Sequence, residues 1–415
     1  MVTEQTFVII GAGLAGAKTA EALRDEGFEG RIVLLGEEAE RPYERPPLSK
    51  DYLQGKWEKE KIYVHPEGWY AEHHVDLQLR TRVTSIDPAA HRVSLDTGES
   101  IRYDKLLLAT GASPRLLPVP GGDAHHVFML RQVEDCEQLK VTFKTASRVT
   151  VVGGGWIGLE VAAAARAADR EVTLLERGEL PLLRVLGREV AEVFAGLHRR
   201  HGVDLRSGVQ VAEITGGDAR GATSVRLTDG SQIDADLIVA GVGAMPNIEL
   251  AERAGLVIDN GVAVDQHLRS SDPDIYAVGD VANAFHPLLG KHIRVEHWAN
   301  ALNQPAVAAK SMLGVDAVYD RLPYFYSDQY ELGMEYSGYV EPDGYDEVVF
   351  RGDKDALEFV ALWMKDRRVL AGMNVNIWDE TENVRALIES GQQFEAAQLA
   401  DPTISLTALL GNARQ

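Results

Sequence analysis

One pattern occurs twice in this chain and limits what it can fold into more than any other feature. Each copy reads as an apolar strand, a glycine-rich turn, a helix and a second apolar strand, over residues 7–35 and again over residues 148–175. This order predicts a βαβ unit, which places both strands in one parallel sheet. Because the whole unit repeats within 415 residues, we predict an α/β protein with two Rossmann-like domains.

The glycine spacing within each turn indicates what the units bind. The first glycine permits the tight turn, the second lets a pyrophosphate approach the backbone, and the third lets helix and strand pack closely. The helix N-terminus adds amide donors and partial positive charge. These glycines are Gly11, Gly13 and Gly16 in the first turn and Gly153, Gly155 and Gly158 in the second. Two dinucleotide sites follow, although either turn could also be a tight turn without a ligand.

An acidic residue follows the second strand of each unit, Glu37 in the first and Glu176 in the second. At this position a carboxylate accepts hydrogen bonds from ribose hydroxyls and repels a 2′-phosphate. Glu176 therefore favours NADH, although it could also be an ordinary solvated carboxylate. Arg177 and Arg184 lie nearby and could accept the phosphate of NADPH. We predict NADH rather than NADPH at the second site and FAD at the first.

Three further apolar runs, residues 106–111, 237–243 and 274–280, contain or end near a glycine. The first two lie where a later strand of each domain could return to its nucleotide site. Asp280 follows the glycine of the third run, and we expect it to hydrogen-bond a ribityl hydroxyl of a flavin. It could instead cap a helix beginning at residues 281–283.

The residue composition of the chain changes from about Pro323 onward. Aromatic residues become frequent, and apolar and polar residues are expected to alternate along the strands, as in residues 357–363. This pattern predicts a small C-terminal α+β domain.

Charge and composition exclude several classes of protein. The net charge of −21 argues against general nucleic-acid binding, and no apolar stretch approaches the ~20 residues that span a bilayer. Cys136 is the single cysteine, so no intramolecular disulfide or Cys-x-x-Cys redox pair can form. No histidine cluster has metal-ligand spacing, and we assign no metal. Without a recognisable signal peptide, we expect a cytoplasmic protein.

Two charged residues stand out beside these motifs. Lys50 closes the double-proline segment 45–50, and Glu160 lies in an apolar helix just after the second glycine turn. Each alone would be ordinary surface charge. Together they could form an ion pair beside the flavin, where the cation would stabilise negative charge on the reduced ring.

The motifs, taken in order, resemble those of the oxygenase-coupled ferredoxin reductases. They are residues 11–16, 45–50 (RPPLSK), 109–111 (ATG), 153–160 (GGGWIGLE), 276–280 (YAVGD) and 296–298 (EHW). The resemblance implies a fold of the glutathione-reductase type with three domains. These are a discontinuous FAD domain of residues 1–113 and 245–320, an NADH domain of residues 114–244, and an interface domain of residues 321–415.

The same resemblance implies the cofactor contacts. FAD would be bound by Gly13, Ala15, Glu37, Arg45, Lys50, Val83, Ala109, Asp280 and Trp298, and NADH by Gly155, Ile157, Glu176 and Gly243. Further cofactor-binding positions in these motifs are Leu14, Thr110, Gly111, Gly279, Glu296 and His297. Lys50 and Glu160 match the catalytic charged pair of the family, and Tyr326 replaces a tryptophan common in relatives.

The implied reaction is a hydride transfer from NADH to flavin, followed by single-electron transfer to a [2Fe–2S] ferredoxin. That ferredoxin would serve a cytochrome P450 or a Rieske-type ring-hydroxylating dioxygenase. We expect a monomer or weak homodimer, with Lys291, Arg294, Lys310 and Arg321 as candidate docking cations. The alternatives are an NADH oxidase or quinone reductase, and a redox-sensing interaction protein resembling apoptosis-inducing factor.

Overall fold

The computed structural model describes residues 5–124, 126–216 and 223–412. The helices are α1 (Leu14–Asp25), α2 (Trp69–Glu72), α3 (Val133–Thr142), α4 (Trp156–Ala167), α5 (Leu183–Leu186), α6 (Arg188–Arg200), α7 (Glu249–Arg253), α8 (Trp298–Met312), α9 (Thr381–Ser390), α10 (Ala396–Ala400) and α11 (Leu406–Asn412). Short 3-10 helices span Pro46–Ser49, Lys59–Ile62 and Gly279–Val281.

The strands carry the rest of the regular structure. In the first half of the chain they are β1 (Thr6–Ile10), β2 (Arg31–Leu35), β3 (Val75–Gln78), β4 (Val83–Asp87), β5 (Arg92–Leu95), β6 (Ser100–Arg102), β7 (Lys105–Leu108), β8 (Ala112–Pro114), β9 (Val127–Phe128), β10 (Arg148–Val152), β11 (Glu171–Glu176), β12 (Val203–Ser207) and β13 (Val211–Thr215). The later strands are β14 (Thr223–Leu227), β15 (Gln232–Ala235), β16 (Leu237–Ala240), β17 (Ala244–Pro246), β18 (Val262–Val264), β19 (Ile275–Ala277), β20 (Ala282–His286), β21 (Lys291–Ile293), β22 (Tyr324–Gln329), β23 (Leu332–Gly338), β24 (Glu347–Asp353), β25 (Glu358–Lys365) and β26 (Arg368–Val375).

The chain forms two compact units. The first contains the described residues up to Arg45, then Glu58–Ser113 and Ala244–Pro323. The second contains Pro46–Trp57, Pro114–Gly243 and the described residues from Tyr324 onward. The short segment Pro46–Trp57, which carries Lys50, therefore folds with the second unit.

The first unit is built on a parallel sheet of order β19-β7-β1-β2-β3. β1 lies at its centre, and Val8, Ile9, Val33 and Leu34 are fully buried, as expected for a parallel sheet covered on both faces. The antiparallel sheet β4-β5-β6 and the mixed sheet β18-β20-β21, in which β18 runs parallel to β20, also belong to this unit.

The second unit repeats that architecture. Its parallel sheet has the order β12-β11-β10-β16-β9, again with the strand before the glycine turn at the centre. The register repeats as well, since Ile10 lies beside Leu35 in one sheet and Val152 lies beside Leu175 in the other. The predicted repeat of a βαβ unit is confirmed, and the fold is α/β as predicted.

The C-terminal part of the second unit is an antiparallel sheet of order β22-β23-β26-β25-β24, with α9, α10 and α11. The expected alternation of buried and exposed residues is wrong for β25, which is buried from Phe359 to Met364. Val360 and Leu362 pack in the cluster that includes α9, while Trp363 on the other face donates its Nε1 hydrogen to the Leu186 carbonyl at 3.0 Å. Helices therefore cover both faces of this strand.

Asp280 does not cap a helix, because Gly279–Val281 is a single 3-10 turn that leads directly into β20. Among the described residues, no helix is long and apolar enough to cross a membrane. The assignment of FAD, NADH and interface domains with their boundaries stays a prediction.

Candidate functional site

The first glycine turn joins β1 to α1 and leaves no room for side chains at two of its glycines. Gly11 has φ +113°, and a Cβ there would lie 2.1 Å from the Ala109 carbonyl oxygen. A Cβ on Gly16 would lie 2.0 Å from the Gly11 carbonyl oxygen. These positions are glycine because strand, returning chain and helix approach one another directly.

Gly13 differs from its neighbours because nothing lies within 4 Å of the Cβ it would carry. It precedes α1 as the N-cap, with φ −92°, and makes no side-chain cap hydrogen bond. Its missing Cβ therefore keeps space open in front of the first amides of a 12-residue helix. That is the shape and polarity that a pyrophosphate group requires.

The second turn has the same geometry. Cβ atoms on Gly153 and Gly158 would lie 2.3 Å and 2.0 Å from backbone oxygens of Gly241 and Gly153, whereas nothing lies within 4 Å of a Cβ on Gly155. Gly155 is the N-cap of α4 and also lacks a side-chain cap. The residues present therefore fit a second dinucleotide.

The two acidic residues differ in their surroundings. Glu176 is the last residue of β11, and its carboxylate accepts hydrogen bonds from the backbone amides of Gly154 at 2.7 Å and Gly178 at 2.5 Å. Glu37 lies one position further along, two residues past Leu35 at the end of β2. Its side chain is 62% exposed and lies 3.6 Å from Arg82. The two backbone amides fix the orientation of the Glu176 carboxylate, whereas that of Glu37 is held only by a distant, exposed arginine.

The residues predicted around Asp280 lie in the first unit. Gly279 has φ +73°, and its amide donates to Gln304 Oε1 at 2.7 Å, which fixes this turn against α8. Arg294 donates to the Asp280 carbonyl at 3.2 Å and to Glu296 Oε1 at 2.6 Å. Asp280 thus has its backbone anchored on both sides.

His297 is the N-cap of α8, and Trp298 is the first residue of that helix. Burial lowers the pKa of His297 to about 4, only partly opposed by Asp280, so the imidazole is neutral near pH 7. Arg45 lies in the same unit, where it donates to Glu38 at 2.6 Å and to the Tyr43 hydroxyl at 3.0 Å.

The remaining predicted residues of the first unit lie at or near strand ends. Val83 is buried at the start of β4. Ala109, Thr110 and Gly111 follow β7, where Thr110 exchanges two hydrogen bonds with Asn247 at 2.8 and 2.9 Å. Leu14 and Ala15 are buried in the first turn of α1. Because β1 and β7 are parallel neighbours, Ala109–Gly111 and the glycine turn lie at the same edge of the parallel sheet.

In the second unit, two predicted residues accompany Gly155. Ile157, in the first turn of α4, is 43% exposed although it is apolar. Gly243 has φ +104°, and its carbonyl accepts the Arg115 amide at 2.8 Å. An exposed apolar side chain at a helix N-terminus suits a ligand that brings its own apolar surface.

The predicted ion pair is present. Lys50 Nζ lies 2.8 Å from Glu160 Oε2, with the lysine side chain 11% exposed and the glutamate side chain 3% exposed. Lys50 Nζ also lies 5.4 Å from the centre of the Tyr326 ring. A desolvated pair of this kind interacts far more strongly than surface charges do.

Sequence reasoning missed the other partners of Glu160. Ser49 and Ser327 also donate to its carboxylate, Ser327 at 2.7 Å to Oε1. Gln329 and His198 lie behind Ser327 and continue the hydrogen bonding. The pattern of buried Ser327 and Gln329 at alternate positions of β22 was the available signal, but helix and strand had first to be placed side by side.

Cys136 is fully buried in α3, and burial raises the pKa of its thiol to about 12. A thiol that stays protonated and has no solvent access is not a redox nucleophile. Within the described ranges, no three His, Cys, Asp or Glu side chains gather as a metal site.

Two glycine turns of one geometry in a single chain are the arrangement expected of a flavoprotein oxidoreductase that uses a pyridine nucleotide, and the comparison with known families shows this class. Residues 5–305 match the pyridine nucleotide-disulphide oxidoreductase family, and residues 324–410 match the reductase C-terminal family. The chain belongs to the pyridine nucleotide-disulphide oxidoreductase family, and it is an FAD-dependent enzyme. Its single buried cysteine departs from the disulphide chemistry in the family's name.

Several relatives cover the chain from end to end. The ferredoxin–NAD(+) reductase component of the anthranilate 1,2-dioxygenase system of Burkholderia cepacia is 40% identical, over 97% of this chain and 99% of the relative. Putidaredoxin reductase of Pseudomonas putida is 38% identical, over 100% and 99%. The crystal structure of the covalent putidaredoxin reductase–putidaredoxin complex superposes with a TM-score of 0.94 at 38% identity, covering 99% of each chain. The chain is thus similar in sequence and fold to ferredoxin reductases.

Proposed function

We propose that this protein is an NADH-dependent ferredoxin reductase. It passes electrons from NADH through FAD to a [2Fe–2S] ferredoxin that serves a cytochrome P450 or a ring-hydroxylating dioxygenase. The observation that carries the proposal is that one chain builds two open dinucleotide turns, while its only thiol is sealed in the core. Electrons therefore have no dithiol within the chain to reach, so their acceptor is a separate molecule. The named partners of its relatives support the identity of that carrier.

When bound, FAD supplies the chemistry of accepting a hydride and releasing the two electrons singly. The chain's residues bind and orient the two dinucleotides. The amides after Gly13 and Gly155 would hold the two pyrophosphates, with the helix dipoles of α1 and α4 adding attraction. In the FAD site, Ala15, Glu37, Arg45, Val83, Ala109, Asp280 and Trp298 are the further contacts that we propose.

Glu176 is the basis for proposing NADH rather than NADPH. Its carboxylate is fixed at the end of β11 by two backbone amides, so it presents a negative charge where a 2′-phosphate would have to lie. Arg177 and Arg184 are both exposed. They are therefore solvated, and they compensate the repulsion only weakly.

Lys50 and Glu160 are proposed to act on bound flavin and nicotinamide. Both are almost fully buried and neutralise each other. Lys50 supplies a fixed positive charge that requires no reorganisation when negative charge develops on the flavin. Glu160 keeps that charge in place and adds acceptor oxygens.

Two of the four candidate docking cations are unsuited to attracting a ferredoxin. The Arg294 side chain is only 10% exposed and is held by Glu296. The prediction of Arg294 as a docking residue on the surface is therefore wrong. Lys310 Nζ lies 3.5 Å from Glu26 Oε1, and the glutamate weakens the attraction of Lys310 for an acidic partner. A monomer or weak homodimer and a cytoplasmic location stay predictions.

An anaerobic titration tests the proposal. The purified protein should be yellow, and NADH should bleach it with a stoichiometry of one per FAD. Addition of an oxidised [2Fe–2S] ferredoxin should then restore the flavin absorbance as the ferredoxin is reduced. A colourless protein that binds no FAD, or a bleached flavin that only oxygen or a quinone reoxidises, would contradict it.

A further inference from the structure

Glu160 lies at the end of a chain of buried polar side chains. Ser327 Oγ donates to Glu160 Oε1 at 2.7 Å, and Gln329 Nε2 donates to Ser327 Oγ at 3.1 Å. Gln329 Oε1 lies 2.9 Å from His198 Nε2. None of these four side chains is more than 3% exposed. Burying so many polar groups is costly unless each has a partner, and here each one does.

The direction of every hydrogen bond in this chain follows from its anionic end. The Glu160 carboxylate only accepts, so the single Ser327 proton points towards it. Ser327 must then accept from the Gln329 amide nitrogen, which leaves the Gln329 oxygen to accept from His198 Nε2–H. His198 Nδ1 remains as an acceptor, and the Tyr330 hydroxyl lies 3.3 Å from it. All four donors thus point along the chain towards Glu160.

The protonation state of His198 agrees with this direction. The imidazole is fully buried, and burial lowers the pKa of His198 to about 4. It is therefore neutral near pH 7 and has one donor and one acceptor nitrogen. Burial likewise raises the pKa of Tyr330, so its hydroxyl keeps the proton that it donates.

We propose that Ser327, Gln329 and His198 are positioning residues that hold the Glu160 carboxylate in one orientation towards Lys50. The inference rests on the proposed function, in which Lys50 and Glu160 act on the bound nicotinamide and flavin. Ser327 holds Oε1, and Oε2 is thereby turned to Lys50 and Ser49. A glutamate χ3 angle is otherwise broad, so without this chain only the contacts of Lys50 and Ser49 to Oε2 would limit rotation of the carboxylate.

The chain orients the carboxylate and does not conduct protons. The amide of Gln329 stands between Ser327 and His198, and an amide neither gains nor loses a proton readily. Aligned hydrogen bonds in a buried environment strengthen one another. Removing a hydrogen-bonding group at one end of the chain should therefore change the hydrogen bonding of the residue at the other end.

The first test uses nitrogen-15 NMR of the holoenzyme labelled at histidine. The His198 signals are assigned by their loss in His198→Gln, and we expect the Nε2–H tautomer. Glu160→Gln, at the far end of the chain, and Ser327→Ala should both shift the His198 resonances. Ser337→Ala is the matched control, since it removes a buried hydroxyl from the adjacent strand that has no hydrogen-bond partner among the described residues. The Nδ1–H tautomer, or shifts no larger than those in Ser337→Ala, would overturn the inference.

The second test measures the limiting rate constant of flavin reduction and the dissociation constant of NADH by stopped flow. Ser327→Ala and Gln329→Leu should each lower the rate constant about fivefold with little effect on NADH binding, whereas Ser327→Thr and Ser337→Ala should retain it. In a Glu160→Gln background, Ser327→Ala should have no further effect. Additive losses would overturn the inference. An unchanged rate in Glu160→Gln itself would instead overturn the proposed role of the ion pair, and the NMR result would still decide whether the chain exists.

Discussion

Lys50 Nζ lies 2.8 Å from Glu160 Oε2, and the two side chains are almost fully removed from solvent. The segment Pro46–Trp57 that carries Lys50 belongs to the same compact unit as α4, which carries Glu160. Two buried charges this close are stable only as a pair, because each alone would lose its hydration without compensation. The pair is therefore both a structural element and the candidate catalytic centre.

Loss of the lysine should destabilise the fold. We expect Lys50→Met to lower the free energy of unfolding by about 3 kcal/mol, because Glu160 would remain buried with only the two serine donors. Lys56→Met is the matched control from the same segment, since Lys56 lies 3.6 Å from Asp51 and is 63% exposed; it should cost less than about 1 kcal/mol. Denaturant unfolding of the flavin-free protein measures both. Equal losses would show that burial of the pair carries no energetic weight.

The two types of glycine in the first turn should respond differently to a methyl group. Gly13→Ala should leave the flavin-free protein within about 1 kcal/mol of wild type, since its Cβ meets nothing, yet it should weaken FAD binding strongly. Gly16→Ala should destabilise the protein itself, because its Cβ would lie 2.0 Å from a backbone oxygen. Thermal unfolding without flavin and FAD titration separate the effects. Tight FAD binding by Gly13→Ala would argue against a pyrophosphate at this turn.

Nucleotide preference should depend on Glu176. Glu176→Ala should raise the KM for NADH roughly tenfold, the effect of losing charge-assisted hydrogen bonds, and should improve the relative use of NADPH. Glu171→Ala, at the exposed start of the same strand, is the control and should change neither. The ratio of kcat/KM for the two nucleotides is the measurement. An unchanged ratio in Glu176→Ala would remove this residue from ribose recognition.

The buried His198 predicts a pH dependence of stability. Its pKa is lowered to about 4 by burial, from 6.5, so between these values the unfolded chain binds more protons than the folded one. Stability should therefore fall on acidification from pH 6.5 to 4, by at most about 3 kcal/mol from this residue. His198→Gln should reduce that slope, whereas His292→Gln, a change at an exposed position in the other compact unit, should retain it. Identical slopes in wild type and His198→Gln would contradict the buried neutral imidazole.

The repeated βαβ units could be predicted from the sequence because their signals are local. Strand, glycine turn and helix follow one another within about 30 residues, and steric need fixes Gly11 and Gly153. The Lys50–Glu160 pair could be predicted from two charges in unusual surroundings and from the resemblance to the ferredoxin reductases. The role of Ser327, Gln329 and His198 could not be predicted, because their alternation along β22 does not reveal that Glu160 and His198, from distant parts of the chain, are their partners. Likewise, β25 is buried on both faces because helices from distant parts of the chain cover it.

We predict that the reduced enzyme transfers its electrons to a ferredoxin. NADH-driven reduction of cytochrome c, with a panel of purified [2Fe–2S] ferredoxins each omitted in turn, tests it most directly. We predict that one or more ferredoxins raise the rate at least about tenfold over the reductase alone, and that oxygen and small quinones are poor acceptors in parallel assays. A rate that is independent of every ferredoxin, or matched by oxygen or quinone, would contradict the account.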